Sequence, residues 1–155
     1  MRAYGPTLLR LAVGTVFVAH GLQKLFGLWG GPGIAGTVRM IHGLGFNYAY
    51  PLATLLIVAE VAGGTLLFLG WGTLWAALAL LIDMVVAVWK VHYRNGFFLN
   101  WALVPGKGHG IEYSLVLIGA LLCLILTGPG ALSIDEHKSQ SAASRAAGRA
   151  RARKV

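Results

Sequence analysis

Acidic side chains are scarce in this chain of 155 residues: five Asp and Glu stand against thirteen Lys and Arg, for a net charge of +8. Only Glu60, Asp83 and Glu112 precede Asp135, and all three lie in or beside long apolar runs. Cysteine is reduced to Cys123. That excludes an intrachain disulfide, CxxC dithiol chemistry and CxxCH haem attachment. Cys123 is expected to pack as a small apolar residue. Charged residues make up 12% of the chain against 57% hydrophobic, a balance outside that of ordinary water-soluble domains.

What is present are four apolar segments, residues 7–28, 51–69, 73–91 and 111–127, each close to the length that crosses a bilayer as a helix. The first contains His20, Gln23 and Lys24 without a small-residue cleavage site, and so reads as a span rather than a signal peptide. The expected fold is an all-α integral membrane protein with four transmembrane helices in an antiparallel bundle. Ile34, Val38, Ile41 and Leu44 recur at helical spacing after the Gly30-Gly31-Pro32-Gly33 break. They predict a short helix between the first two spans, at the outer interface or folded back over the bundle.

Residues 1–134 form the expected transmembrane domain. Residues 135–155, rich in Ala, Ser and Arg, read as a basic, disordered tail facing anionic lipid rather than nucleic acid. Arg2, Arg10 and the tail bases fall on one side, so both termini are expected in the cytoplasm. No internal repeat of the inverted transporter kind is visible.

The ionisable residues form a layer. With each span centred in the bilayer, Glu60 and Asp83 fall near the midplane, and His20 about 5 Å outward. Lys24, Lys90 and Glu112 fall roughly 10 to 12 Å outward, with His92 a little beyond. Intramembrane ionisable groups are costly and face partners, cavities or pathways. His20 and Lys24 share a face of the first helix one turn apart. Glu60 precedes Gly63-Gly64, which admits a close backbone or ligand. Its bland alternative is a structural pair with His20 or Lys24.

Asp83 reads first as a structural polar contact, and His92 points nearly opposite it on a straight helix. Glu112, in a first helical turn, suits the helix dipole. Arg10 reads as an interfacial anchor, and Trp29, Trp71, Trp89 and Trp101 as aromatic-belt residues. His20 and His92 differ in depth by roughly 9 Å, which disfavours bis-histidine haem. The Gly30–Gly33 stretch lacks the Lys and Ser/Thr of a phosphate loop. No metal or flavin motif is evident.

Arg10-Leu-Ala-Val-Gly14, Ala19-His-Gly-Leu-Gln-Lys-Leu-Phe-Gly27 and Gly30-Gly-Pro-Gly33 with Gly36-Thr37 occur in order. Ala59-Glu-Val-Ala-Gly-Gly64, Val91-His92, Asn95-Gly-Phe97, Glu112-Tyr113 and Gly128-Pro-Gly130 follow. Together, over residues 7–136, these motifs resemble the DoxX family. The resemblance implies a four-helix plasma-membrane protein, in a family whose members are often named as oxidoreductases or quinol oxidase subunits. It implies that Arg10, His20, Lys24, Glu60, His92 and Glu112 match recurring polar motifs. Thr73-Leu74 departs from the pattern, where relatives carry a base, and Asp83 has no clear place in it.

The leading expectation is a membrane subunit of an oxidoreductase system that binds a quinone or similar lipid-soluble redox molecule. Glu60 and His20 would exchange protons, while Lys24, His92, Glu112 and Arg10 would bind ligand. A partner redox protein would supply electrons, so the isolated chain need not be an enzyme. The alternatives are a non-catalytic scaffold or a small proton-linked permease. Association into a homo-oligomer fits so small a bundle.

Overall fold

A computed structural model of the chain describes residues 4–152. Among them the structure is all-helical. Helix α1 spans Tyr4–Phe26, α2 Gly33–Gly43, α3 Ala49–Leu69, α4 Thr73–Asn95, α5 Glu112–Thr127 and α6 Ile134–Ala152. Helices α1, α3 and α4 are long and apolar enough to cross a membrane, and α5 is a shorter apolar helix. The spans therefore begin and end within a few residues of the expected boundaries, because apolar runs and Gly breaks mark helix limits locally.

The core holds Val13 and Phe17 of α1, Leu67 of α3, Ala76, Ala77, Leu80 and Met84 of α4, and Leu117, Leu121 and Leu124 of α5. Many other large apolar residues point outward, with Leu126 84%, Trp75 74% and Leu8 68% exposed. An apolar exterior of this extent needs lipid or a partner to cover it.

Small residues bring α1 against α3. A Cβ on Gly14 would come within 2.7 Å of the Gly64 carbonyl oxygen, and one on Gly64 within 2.9 Å of the Val18 amide nitrogen. The two backbones therefore touch, as small-residue seams permit in membranes. Gly64 is thus occupied by a neighbouring helix rather than by a ligand. Helix α2 folds back instead of lying alone at an interface. Thr37 is fully buried, with its hydroxyl donating to the carbonyls of Gly33 at 2.9 Å and Lys24 at 3.4 Å. Ile41 packs with Ala49 and Ala53 in a second, smaller core.

The opposite end is closed by Arg10 and Asp135. Arg10 is 2% exposed. Its guanidinium donates to the carbonyls of Pro129 at 3.0 Å, Leu132 at 2.7 Å and Phe68 in the last turn of α3. The reading of Arg10 as a lipid anchor gives way to an internal clasp, because those carbonyls leave helix ends and need donors. Asp135 lies within the fold rather than at the start of a disordered tail. Its carboxylate accepts from the Gly72 and Thr73 amides and the Thr73 hydroxyl, each at 2.9 Å, and so caps α4.

The segment that follows, read from composition as disordered, is helical through Ala152. Its Ala-rich sequence has high helix propensity, and the cap fixes its first turn in place. Burial alone would push the Asp135 carboxyl up, but the bonds from Thr73 and Gly72 outweigh it and hold it below the ordinary carboxylate range. Its stabilisation is therefore complete above that range and lost as pH falls through the lowered value. Asp135→Ala should cost about 1 kcal/mol in thermal denaturation near neutrality, and the difference from wild type should vanish in acid.

Candidate functional site

The Arg10 clasp sets α1 and α3 so that the far end of α1 meets the middle of α3. There Lys24 Nζ donates to both carboxylate oxygens of Glu60, at 2.6 Å and 2.7 Å. Their side chains are 18% and 6% exposed. Gly21, one turn before Lys24, makes the approach possible, since a Cβ there would meet Val61 Cγ2 at 2.6 Å and Glu60 Cβ at 3.1 Å. Glu60 sits in a π turn, Ala59–Gly63. Such turns add a residue to the helical register and recur at functional sites.

Asp83 of α4 joins this pair, interacting electrostatically with both Glu60 and Lys24. The sequence had no means of assigning it there: helical spacing gives a face but not the neighbour across it. The cluster thus draws one ammonium and two carboxylates from three helices. His20 lies apart from Glu60 in its exposure. It is exposed on the surface of α1 and feels the charge of Lys24 one turn on. The bland pairing of Glu60 with Lys24 is therefore the contact made, and His20 flanks it from the exposed face of α1.

The remaining candidates hold the loop between α4 and α5. A second π turn, Val88–His92, undoes the straight-helix geometry. One added residue swings His92 to about 80° from Asp83 instead of about 180°. His92 Nδ1 nevertheless pairs with the His109 carbonyl at 3.0 Å. The Asn95 amide donates to the same carbonyl at 3.2 Å. Glu112 accepts from the Leu99 amide at 3.0 Å, and Asn100 ties the loop internally through Val104 and Lys107. Lys90 stacks over Trp89 and Phe46, at 3.9 Å and 5.1 Å from the ring centroids. Arg10 belongs to the clasp at the other end. Lys24 and Glu60 come together with Asp83 in electrostatic reach, His20 borders them, and His92, Glu112 and Arg10 are engaged elsewhere.

Two surface cavities, of about 800 and 370 Å³, do not include Glu60, Lys24 or Asp83. Their size is no argument against the cluster, which is the place where charge is concentrated in apolar surroundings. Among the described residues no group of three or more His, Cys, Asp or Glu converges as a metal site.

The family model described as DoxX matches residues 5–93, which contain the whole cluster. The chain belongs to the DoxX family. The uncharacterized membrane protein Rv3486 of Mycobacterium tuberculosis is 35% identical over 92% of this chain and 88% of its own length. The inner membrane protein YphA of Escherichia coli is 30% identical over 85% of this chain and 91% of its own. A Bacillus subtilis protein named "Putative oxidoreductase CatD" is 28% identical over 84% of each chain. No solved structure matches the chain significantly. This DoxX-family chain is accordingly a membrane protein. The family match stops short of α5, so Glu112 lies outside it.

Proposed function

We propose that this DoxX protein is a membrane subunit of an oxidoreductase system acting on a quinone or similar lipid-soluble redox molecule. Its centre is the Lys24–Glu60–Asp83 cluster. The observation that carries the reading is the bidentate Lys24–Glu60 pair set among apolar helices with a second carboxylate beside it. Groups so placed can hold and pass protons, and the naming of the Bacillus subtilis relative points to redox chemistry.

Quinone reduction takes up two electrons and two protons. Glu60 and Asp83 would relay protons, Lys24 would stabilise negative charge on an oxygen, and a partner redox protein would supply the electrons. The donor chemistry fits a carbonyl head, while the cavities lie elsewhere. The ligand therefore approaches from the lipid side of α1, where His20 is exposed. His92 and Glu112 would act on binding through the outer loop, and Arg10 through the clasp.

The reading includes four transmembrane helices in an antiparallel bundle, formed by residues 1–134, in the plasma membrane. The termini are cytoplasmic, the basic residues from 135 onward meet anionic lipid, and copies associate in the bilayer. A second reading, a non-catalytic scaffold, draws on the closure of the ion pair, in which both Glu60 oxygens already have a partner.

Extraction of protein purified from its own membranes in mild detergent separates the two. Near-stoichiometric quinone in the wild type, lost from folded Glu60→Gln and His20→Ala variants, supports the redox reading. Equal traces in all three would leave the scaffold.

A further inference from the structure

The larger cavity, about 800 Å³, lies at the Arg10 end between the start of α1, the end of α5 and the first turns of α6. It is remote in the fold from the charged cluster and plays no part in the proposed chemistry. Its volume is within the range of small-molecule sites, which run roughly 300 to 1,000 Å³ and are largely apolar with few polar groups.

The lining is graded. Leu9, Cys123 and Leu132 form an apolar wall, and Glu136, His137 and Gln140 of α6 supply the polar rim. Cys123 sits one turn inside the end of α5, and its Thr127 neighbour satisfies the Cys123 carbonyl with its hydroxyl at 2.7 Å. The apolar wall thus lies on a membrane helix, and the polar rim on the helix that leaves it. The mouth is continuous with the outer surface, since Leu132 is 80% exposed.

Backbone groups around the wall are already engaged. The Pro129 and Leu132 carbonyls accept from Arg10, Ala131 from the Thr7 hydroxyl and Gly130 from the Ser133 hydroxyl. Recognition is left to the side chains of the rim. The Gln140 amide donates one hydrogen to Glu136 at 2.9 Å, and an amide nitrogen has a second to give. His137 adds a ring that can donate, and Glu136 is a carboxylate that a cation would meet favourably.

We propose that this cavity is a binding site for one zwitterionic phospholipid. An acyl chain lies along Leu9, Cys123 and Leu132, the phosphate meets His137 and Gln140, and the ammonium meets Glu136. The carboxylate at the rim selects against a head of net negative charge. Such a lipid would wedge α6 against α1 and α5, coupling the position of the basic helix to the bilayer.

Gly5 provides the test, because it lines the cavity and a Cβ there would meet nothing within 4 Å. Gly5→Trp therefore starts from an unobstructed Cβ and places a bulky ring at the cavity. Full-length protein is relipidated from an equimolar mixture of phosphatidylethanolamine and phosphatidylglycerol and examined by native mass spectrometry. The wild type is expected to retain one phosphatidylethanolamine through detergent washing, and Gly5→Trp to lose it with an unchanged melting temperature. In parallel, the exposed Cys123 thiol should react with N-ethylmaleimide more slowly in relipidated wild type than after delipidation. Gly5→Trp should show no such difference.

His137→Ala with Gln140→Ala should lose the lipid while the cavity stays open. Preferential retention of phosphatidylglycerol, or of lipid equally in all variants, would overturn the proposal. Glu60 does not line the cavity, so Glu60→Gln should keep the phosphatidylethanolamine, and the proposal and the redox reading fail separately.

Discussion

Lys24→Met should lower stability by about 3 to 5 kcal/mol. The substitution keeps the length and apolar stem of the side chain, so the loss isolates the ammonium. Glu60, 6% exposed at its side chain, would be left without its cation and with Asp83 as an electrostatic neighbour. Breaking a buried pair costs more than the pair contributes, because the remaining charge keeps its desolvation penalty.

The companion double variant, Lys24→Met with Glu60→Leu, should recover most of the loss, since an apolar pair of similar volume suits the surroundings. Chemical or thermal denaturation of both variants in the same detergent gives the comparison. A loss below about 1 kcal/mol in Lys24→Met would place the pair with the solvent-screened surface class and remove the physical basis for the cluster. Turnover adds a second axis: the double variant should be stable and inactive if the cluster exchanges protons, and active if it only joins helices.

Arg10→Ala is expected to have an effect at least as large, of the order of 3 kcal/mol or more, as hydrogen bonds to charged groups contribute roughly 1.5 to 3 kcal/mol each. Three carbonyls from α3 and the residues after α5 lose their donor at once. The loss should appear locally as well as globally. Hydrogen exchange should rise at the end of α3 and through residues 128–135, while the Lys24 end stays protected. Arg10→Lys should rescue only part of it, because an ammonium on a flexible stem does not reproduce the planar fork that reaches three separate acceptors. Uniform protection in Arg10→Ala would mean that the end of the fold is held by packing alone.

The membrane class and the positions of the helices were legible in the chain itself. These follow from local properties: the length of apolar runs, Gly and Pro at their ends, and a fixed rise per residue. The DoxX motifs were legible for the same reason, being short runs in a fixed order. Facing partners were not. Spacing placed His20 and Lys24 on one face, but only the packing of α1 on α3 through Gly14, Gly21 and Gly64 chose Lys24 for Glu60 and turned His20 outward. Asp83 came within electrostatic reach of the pair, and His92 and Glu112 were drawn to the loop before α5, through interactions between residues far apart in the chain. Asp135, read as the start of a free tail, caps a helix that begins 62 residues earlier. Hydropathy and periodicity record what each segment avoids. Which donor reaches which acceptor is decided by tertiary structure, because unsatisfied polar groups and charges in apolar surroundings must find partners wherever the fold brings them.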